Sequence, residues 1–466
     1  MVLDVGKTLS KLSLWDEGGR AVVERARYNA RVEADGGLCL DAKGIEQWAI
    51  GVLTEFRKVG PIAAIVPVSH GAAAAIIRDG RLAYPVRDYE DPVPVRLRES
   101  YDIQRDSFDL TGSPALPGGL NLGVQLHWLE DEHDAPLRKK TYIVPWPQYW
   151  AWRLSGVPAS EVTSLGCHTD LWYPGHHGPS ALARNRGWWE VFAPLRRADE
   201  VLGQLTSEWA RNTGLSTRVR VLCGMHDSNA ALYGVRGFRK LAGQEVSVVS
   251  TGTWFVAMRT MAKDAALDMA SLPESRDCLV NVDCESRPVP SARFMGGREL
   301  EFIAGEDLLR TAPETRVLSE LVKDDTMVLP SWVAGVGPYP YSNARWMGLP
   351  RTPESRLAAA GIYAALMTDT CLDLIGAKRR IVIEGRFASM ELFVRTLATL
   401  RPGSEIFIDQ NRESSLSYGA LRLVSPTLRR PETLVPVAPL EIDLSEYKAR
   451  WKRRIEETAS SRESVR

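Results

Sequence analysis

The sequence has little that would mark a disulfide-bonded, membrane-spanning or nucleic-acid-binding protein. Six cysteines (Cys39, Cys167, Cys223, Cys278, Cys284 and Cys371) are scattered over 466 residues without a CxxC pair. That spacing is neither a disulfide framework nor a zinc knuckle, and the cysteines read as reduced thiols. No window approaches the roughly 18 consecutive apolar residues that a membrane span needs. Asp4 and Lys7 interrupt the apolar start of the chain, so a signal peptide is not expected and a cytoplasmic location is. An excess of one charge is missing too: 58 Lys and Arg balance 58 Asp and Glu, which leaves no electrostatic footprint for nucleic acid or a membrane surface. A Walker loop, GxxxxGK[ST], is also absent,.

What remains is the composition of a globular protein, 44% hydrophobic and 25% charged,, long enough for two or three domains at about 150 residues each. Val2 to Thr8 is a short apolar run ending in a Gly turn, followed by Lys11 to Trp15 with Leu12 and Leu14 alternating; the pattern predicts a hairpin. Residues 41 to 58 place Ile45, Trp48, Ala49, Val52, Leu53 and Phe56 on one helical face behind Asp41 as N-cap, and Ile62 to Val68 reads as a buried strand,. From about 80 to 220 the chain is irregular and rich in Pro, Trp, His and Gly, with helices predicted at 121 to 131 and 147 to 154; such stretches often supply substrate-facing loops. Regular order returns at Val219 to Leu222 and the helix-like Ser228 to Tyr233. Beyond a Gly-rich, basic join at Gly237 to Gly243, strands at Glu245 to Ser250, Arg380 to Glu384 and Glu405 to Asp409 alternate with helices at about 354 to 376 and 390 to 400. This alternation predicts an α/β protein. Leu444 to Glu457 has charged helical periodicity and reads as a peripheral, solvated helix before a frayed polar tail.

Two segments, Asp4-Val5-Gly6-Lys7-Thr8 and Ser250-Thr251-Gly252-Thr253, each end an apolar strand in a Gly turn with hydroxyls. Glycine lets main-chain amides approach a phosphate closely, and the threonines add donors, so both turns suit polyphosphate. Asp4 suits Mg²⁺ through water, because Mg²⁺ keeps much of its hydration shell. The alternative for the first turn is a hairpin with a capping Asp. In Gly224-Met225-His226-Asp227-Ser228-Asn229-Ala230-Ala231 an acidic residue stands between an apolar strand and a small-residue helix start. Strand ends of α/β sheets are where ligands bind, so Asp227 either accepts a hydroxyl proton or caps the helix.

The order of these segments resembles the FGGY carbohydrate kinase family of the sugar kinase, heat-shock protein and actin superfamily. DxGxTxxK-like residues at 4 to 11, GxHDxxAA at 224 to 231, STGTW at 250 to 254, Gly296-Gly297-Arg298-Glu299 and Glu384-Gly385 follow one another, and Gln148 to Gly156 is similar to the family's YxxxRLTG segment. The resemblance runs from Val2 to about Val424. It implies two ribonuclease H-like (actin-like ATPase) lobes with an inter-lobe cleft. The sugar-binding and catalytic lobe is expected at 1–238, the nucleotide-binding lobe at 239–436, and a peripheral helix and tail at 437–466. By the same resemblance Asp227 is the general base toward a primary sugar hydroxyl and Asp4 organises Mg²⁺. Gly6, Thr8 and Lys11 contact phosphates from one lobe; Thr251, Gly252 and Thr253 contact them from the other. Lys7 stands where many members have Thr, and either supplements the phosphate contacts or points to solvent. Gly385, Arg386 and Phe387 occupy the adenine run, with Arg386 and Phe387 stacking on or flanking the base. A start of DVGKT and an EGxFA-like run place the chain near rhamnulose- and fuculose-kinase-like members.

Sugar contacts are sought among polar and aromatic residues of the first lobe: His70, Gln125, Trp128, Trp150, His168 to Trp172, and His226 beside the base. Polyols are held by hydrogen bonds against an aromatic wall, although a Trp at helical spacing is more often core. Cys167-His168-Thr169-Asp170 with His176-His177 lacks zinc spacing and is not read as a metal site. The resulting expectation is ATP- and Mg²⁺-dependent phosphorylation of a ketose or polyol, with L-rhamnulose or L-fuculose first and a pentulose second. Sugar and ATP are the expected partners, nucleic acid and membrane are not, and a homodimer is left open. The rival readings are an inactive regulator that keeps the fold, and an ATPase acting on protein.

Overall fold

The computed structural model describes residues 1–133, 137, 140–262, 265–305, 315–410 and 415–463. The chain forms two compact units. One comprises Met1–Ala242, Val280–Pro288 and Glu413–Glu432; the other comprises Gly243–Leu279, Val289–Arg412 and Thr433–Arg466. This differs from a division into contiguous lobes at 238/239, because two later segments return to the first unit. The reason for the second return is a backbone-to-backbone helix packing. A Cβ added at Gly419 would lie 1.8 Å from the Ala230 carbonyl oxygen, and one at Gly234 would lie 1.8 Å from that of Ser415. Only glycine lets the helices Asp227–Val235 and Ser415–Val424 approach so closely,.

The first unit is built on a seven-stranded sheet in the order Val201–Gln204, Arg220–Leu222, Ala64–Ser69, Val2–Val5, Leu9–Trp15 and Ala21–Tyr28, with Met225–His226 also paired to Ala64–Ser69. Val2–Val5 and Leu9–Trp15 form the expected hairpin, with Asp4 opposite Lys11. The helix Ala42–Phe56 is capped by Asp41, whose carboxylate accepts the Gly44 N–H at 2.8 Å, and buries Ile45, Ala49, Val52, Leu53 and Phe56. In the irregular middle stretch the helices Leu122–Glu132 and Trp146–Ser155 form as expected. Strands Ala74–Arg78 and Thr141–Pro145, paired antiparallel, were not anticipated there.

The second unit's sheet runs Pro288–Phe294, Phe255–Arg259, Ser247–Thr251, Arg380–Gly385, Glu405–Asp409 and Leu434–Pro436. The helix Pro353–Leu374 could span a membrane by length and composition, but 89% of its most apolar window is buried within the protein. The C-terminal helix Ser445–Glu463 is not the solvated element its charge suggested. Tyr447 and Trp451 are buried, their polar tips donating to the Thr326 and Val328 carbonyls at 2.7 and 2.8 Å, and Lys448 pairs with the buried Asp369 at 2.5 Å. The charged periodicity therefore conceals a narrow apolar stripe that docks the helix. Of the frayed tail expected after Glu457, residues 458–463 continue the helix, and 464–466 lie outside the described residues.

Candidate active site

Parallel pairing carries the carboxyl ends of three strands of the first unit to one place. Asp4 pairs with Val68 and Val5 with Ser69, while Met225 and His226 pair with Val68 and Ser69 from the other side. The strand ending at Ser69 thus has Asp4 on one flank and His226-Asp227 on the other. Ser69 Oγ closes the gap by donating to the Val5 carbonyl at 2.7 Å. Gly224 makes the turn into the last strand possible: its φ is +77°, and a Cβ there would lie 1.9 Å from the Pro67 carbonyl oxygen.

Asp227 is the first residue of its helix, and its carboxylate accepts the Ser228 N–H at 2.5 Å. That contact is a partial cap, yet the side chain keeps 28% of its surface exposed and is not consumed by it. His226 Nε2 lies 3.2 Å from Asp227 Oδ1 and 3.5 Å from Cys167 Sγ, and Asn229 Nδ2 approaches His226 Nδ1 at 3.5 Å. Burial pulls His226 below the usual imidazole value, against the opposing pull of Asp227, so the ring is neutral near pH 7. Burial and then the nearby Asp227 charge push Asp4 up to about 7, with Lys11 pulling the other way. Two carboxylates in electrostatic contact, both partly buried, make a site short of positive charge,.

His70 ends the Ala64–Ser69 strand's run and is buried, with Nδ1 2.7 Å from the Gly71 carbonyl and its ring edge-on to Tyr89 at 5.8 Å. Burial lowers its pKa as well, while Asp227 counts among the charges that raise it. Tyr89 belongs to the same neighbourhood: burial pushes its phenol up, with Glu90, Asp88 and Asp227 adding to the shift.

Several expected site residues are engaged elsewhere. Lys7 neither faces solvent nor is free for a phosphate; it forms an ion pair with the fully buried Asp88, and its ammonium lies 4.6 Å from the Tyr89 ring centre. A buried acid captures the lysine because leaving either charge unpaired there is costly. Trp150 is completely buried in the core, packed against Trp146 and Tyr149, so it presents no face to a sugar. Gln125 donates to the Ala72 and Gly119 carbonyls, both at 2.6 Å, and so fixes the chain after His70. One face of Trp128 is covered by the Arg87 guanidinium at 3.8 Å. The Gly6 N–H closes its own turn onto Leu9 O at 3.0 Å. Thr8 is exposed, and Lys11 sits 3.9 Å from Glu24.

The second unit repeats this pattern at its own strand ends. Thr251 Oγ1 donates to the Glu384 carbonyl at 2.7 Å and accepts the Phe387 N–H at 3.0 Å, so its hydroxyl fastens the adjoining strand end. The Gly252 N–H is taken by Trp254 O at 2.9 Å, while Thr253 is exposed. Gly385, at φ +91°, has no room for a Cβ, which would fall 2.3 Å from Thr251 O. Phe387 is buried against Phe255 and does not stack on an adenine; Arg386 beside it remains half exposed. Glu299, from the Gly-Gly-Arg-Glu segment, accepts Trp332 N–H at 3.0 Å, Val333 N–H at 3.2 Å and Tyr363 O–H at 2.7 Å. It is a structural clamp. No cluster of three or more His, Cys, Asp or Glu suited to a metal occurs among the described residues.

Residues 243–431 match the family described as carbohydrate kinase FGGY, C-terminal domain. The whole chain is similar to a carbohydrate kinase from Novosphingobium aromaticivorans whose crystal structure is known, with 47% identity, 98% of each chain covered and a TM-score of 0.93. The chain belongs to the FGGY carbohydrate kinase family. It is an ATP-dependent sugar kinase, with the two-lobed actin-like α/β fold. A more distant relative is an L-fuculokinase from Salmonella typhi, 24% identical over 75% of this chain and 74% of that one. A xylulose kinase from Lactobacillus acidophilus, 14% identical over 100% of this chain and 98% of that one with a TM-score of 0.75, shares the fold.

The sequence reading missed Asp88, Tyr89, Glu161 and Thr163. None of the four lies in a periodic segment or a compact motif, and each meets the site through a partner distant in sequence; only their irregular, polar-rich surroundings hinted at a role.

Proposed function

We propose that the first unit binds the sugar and supplies the catalytic base, and that the second binds the nucleotide. In this reading Asp227 takes the proton from a primary hydroxyl as its oxygen attacks the γ-phosphorus of ATP, and ADP leaves with the former β–γ bridging oxygen. The observation that supports it best is the partly exposed Asp227 carboxylate at a strand end, in electrostatic contact with the partly buried Asp4. A carboxylate in that setting acts as base when a hydroxyl lies within hydrogen-bond reach. The neutral His226, 3.2 Å from Asp227 Oδ1, orients the carboxylate without neutralising it.

The carboxylate pair Asp4 and Asp227, short of positive charge, fits a divalent cation, and Asp4, with Lys11 opposite it in the hairpin, would hold Mg²⁺. When bound, Mg²⁺ offsets charge on the transferring phosphoryl group. Thr253 and Arg386, exposed or half exposed in the second unit, are the nucleotide contacts left after Thr251, Gly252 and Phe387 are accounted for. Gly6, Thr8 and Lys11 remain the phosphate-facing candidates of the first unit.

For the sugar, a 6-deoxyketohexose phosphorylated at O1 ranks first. The L-fuculokinase relative and the DVGKT start both favour it, and a pentulose ranks second. His70, Tyr89 and His226 are its proposed contacts. The test is ADP release with Mg-ATP over a panel of ketoses, aldoses and polyols. L-Fuculose or L-rhamnulose should stimulate release most; a larger stimulation by xylulose or ribulose overturns the ranking, and stimulation by none, with sugar still bound, favours a regulator.

A further inference from the structure

The strand that delivers Asp227 is only two residues long, Met225–His226, and a left-handed glycine precedes it. Two ladder positions hold a register weakly, so the aim of Asp227 depends on what else grips this segment. Two buried side-chain systems do. Gln148, fully buried on the helix Trp146–Ser155, donates to the Gly224 carbonyl at 3.2 Å and to that of Cys223 at 3.4 Å, and its own oxygen accepts Ser164 Oγ–H at 3.1 Å. Thr163 Oγ1 accepts the His226 N–H at 3.0 Å and donates to Glu161, which also accepts the Thr163 N–H at 2.9 Å. Glu161 and Thr163 are completely buried.

We propose that Thr163, locked by Glu161, and Gln148 are positioning residues for phosphoryl transfer: together they clamp the backbone from Cys223 to His226 and so set where the Asp227 carboxylate stands. The inference rests on Asp227 being the base. The Thr163 hydroxyl is the critical joint, because its one proton goes to Glu161 and its lone pair therefore faces the His226 N–H in a fixed direction. Without Glu161 the hydroxyl is free to rotate. Burial pushes the Glu161 carboxyl up to about 8, so near pH 7 it grips Thr163 as a neutral acid and sends no extra negative charge toward Asp227. A misplacement of the reacting group by about an ångström costs on the order of 10²-fold in rate.

The test compares Thr163→Val, which keeps the shape and loses the hydroxyl, with Thr163→Ser, which keeps the hydroxyl. Both are assayed as the full chain with Mg-ATP and the most stimulating sugar of the panel, L-fuculose being tried first. The readouts are kcat, sugar KM, ATP affinity and melting temperature, with Asp227→Asn alongside. The clamp predicts that Thr163→Val lowers kcat by about 10- to 100-fold, leaves ATP affinity unchanged, and is largely rescued in Thr163→Ser. If Thr163→Val does not fold, Thr163→Ala against Thr163→Ser makes the same comparison. Wild-type kcat without the hydroxyl, or a loss that Ser does not restore, overturns the clamp. If Asp227→Asn is inactive in that case, the base assignment survives; an active Asp227→Asn overturns both.

Discussion

Gly224→Ala probes the link between backbone geometry and chemistry in one atom. Gly224 adopts φ +77°, and a Cβ there would sit 1.9 Å from the Pro67 carbonyl oxygen and 2.9 Å from its carbon. The left-handed conformation alone costs a non-glycine residue about 1–2 kcal/mol. The contact is the larger problem, since ordinary van der Waals separation begins at 3.4 Å and the deficit is about 1.5 Å. Pro67 cannot yield easily, because it lies inside the strand Ala64–Ser69, which is buried throughout and paired on both sides. The segment carrying Asp227 must therefore move. A shift of that size predicts a loss of about 10²-fold or more in kcat. ATP affinity should stay near wild type, because none of the proposed nucleotide contacts lies in the segment from Gly224 to Asp227. Steady-state kinetics with the cognate sugar, nucleotide titration and a denaturation curve separate the effects. A Gly224→Ala enzyme with wild-type kcat, folded and binding ATP, would refute the reasoning that this turn aims the base.

Two further outcomes follow from buried groups. Glu161 titrates at about 8 in the folded protein against an ordinary value of 4.5; the folded state holds its proton where the unfolded chain has lost it, so wild-type stability falls as pH rises from about 4.5 to 8. Glu161→Gln has no such proton, and its stability relative to wild type should rise across that window by on the order of 4 kcal/mol, read from urea midpoints at pH 4 and pH 9; a pH-independent difference contradicts the assignment. Trp451→Ala removes a fully buried indole and its hydrogen bond to Val328, and should destabilise the protein by about 3–5 kcal/mol; a change below about 1 kcal/mol in denaturant titration would mean that the C-terminal helix is not docked in solution.

What the sequence made legible was the part whose signal is local. The hairpin and the helix Ala42–Phe56 show alternation, helical spacing and an Asp cap within a few residues. The ordered motifs around Asp4, Asp227 and Ser250 to Trp254 carried the family. The strand Ala21–Tyr28 was missed because it is almost entirely exposed and rich in Arg and Glu, so no apolar period marks it. Pro288–Phe294 holds two prolines, which argue against a strand by the usual rule,. Side-chain roles failed where burial decides them. Trp150 and Phe387 stand in or next to motif segments, yet both are buried: Trp150 in an aromatic cluster with Trp146 and Tyr149 inside a core drawn from the whole first unit, and Phe387 against Phe255, 132 residues away. Lys7 was read between phosphate and solvent because its true partner, Asp88, lies some eighty residues on in an irregular stretch. Thr163 meets His226 across 63 residues, a separation at which spacing carries no information.

The central claim is that Asp227 removes the proton of a sugar hydroxyl during ATP-dependent phosphorylation. Its most direct test is sugar-stimulated ADP release by Asp227→Asn beside wild type, with sugar and ATP binding measured on the same preparations. The account predicts that both ligands still bind while stimulated release falls by at least about 10²-fold, the lower end of what a general base contributes. Stimulated release at the wild-type rate by a variant that cannot accept that proton would contradict it.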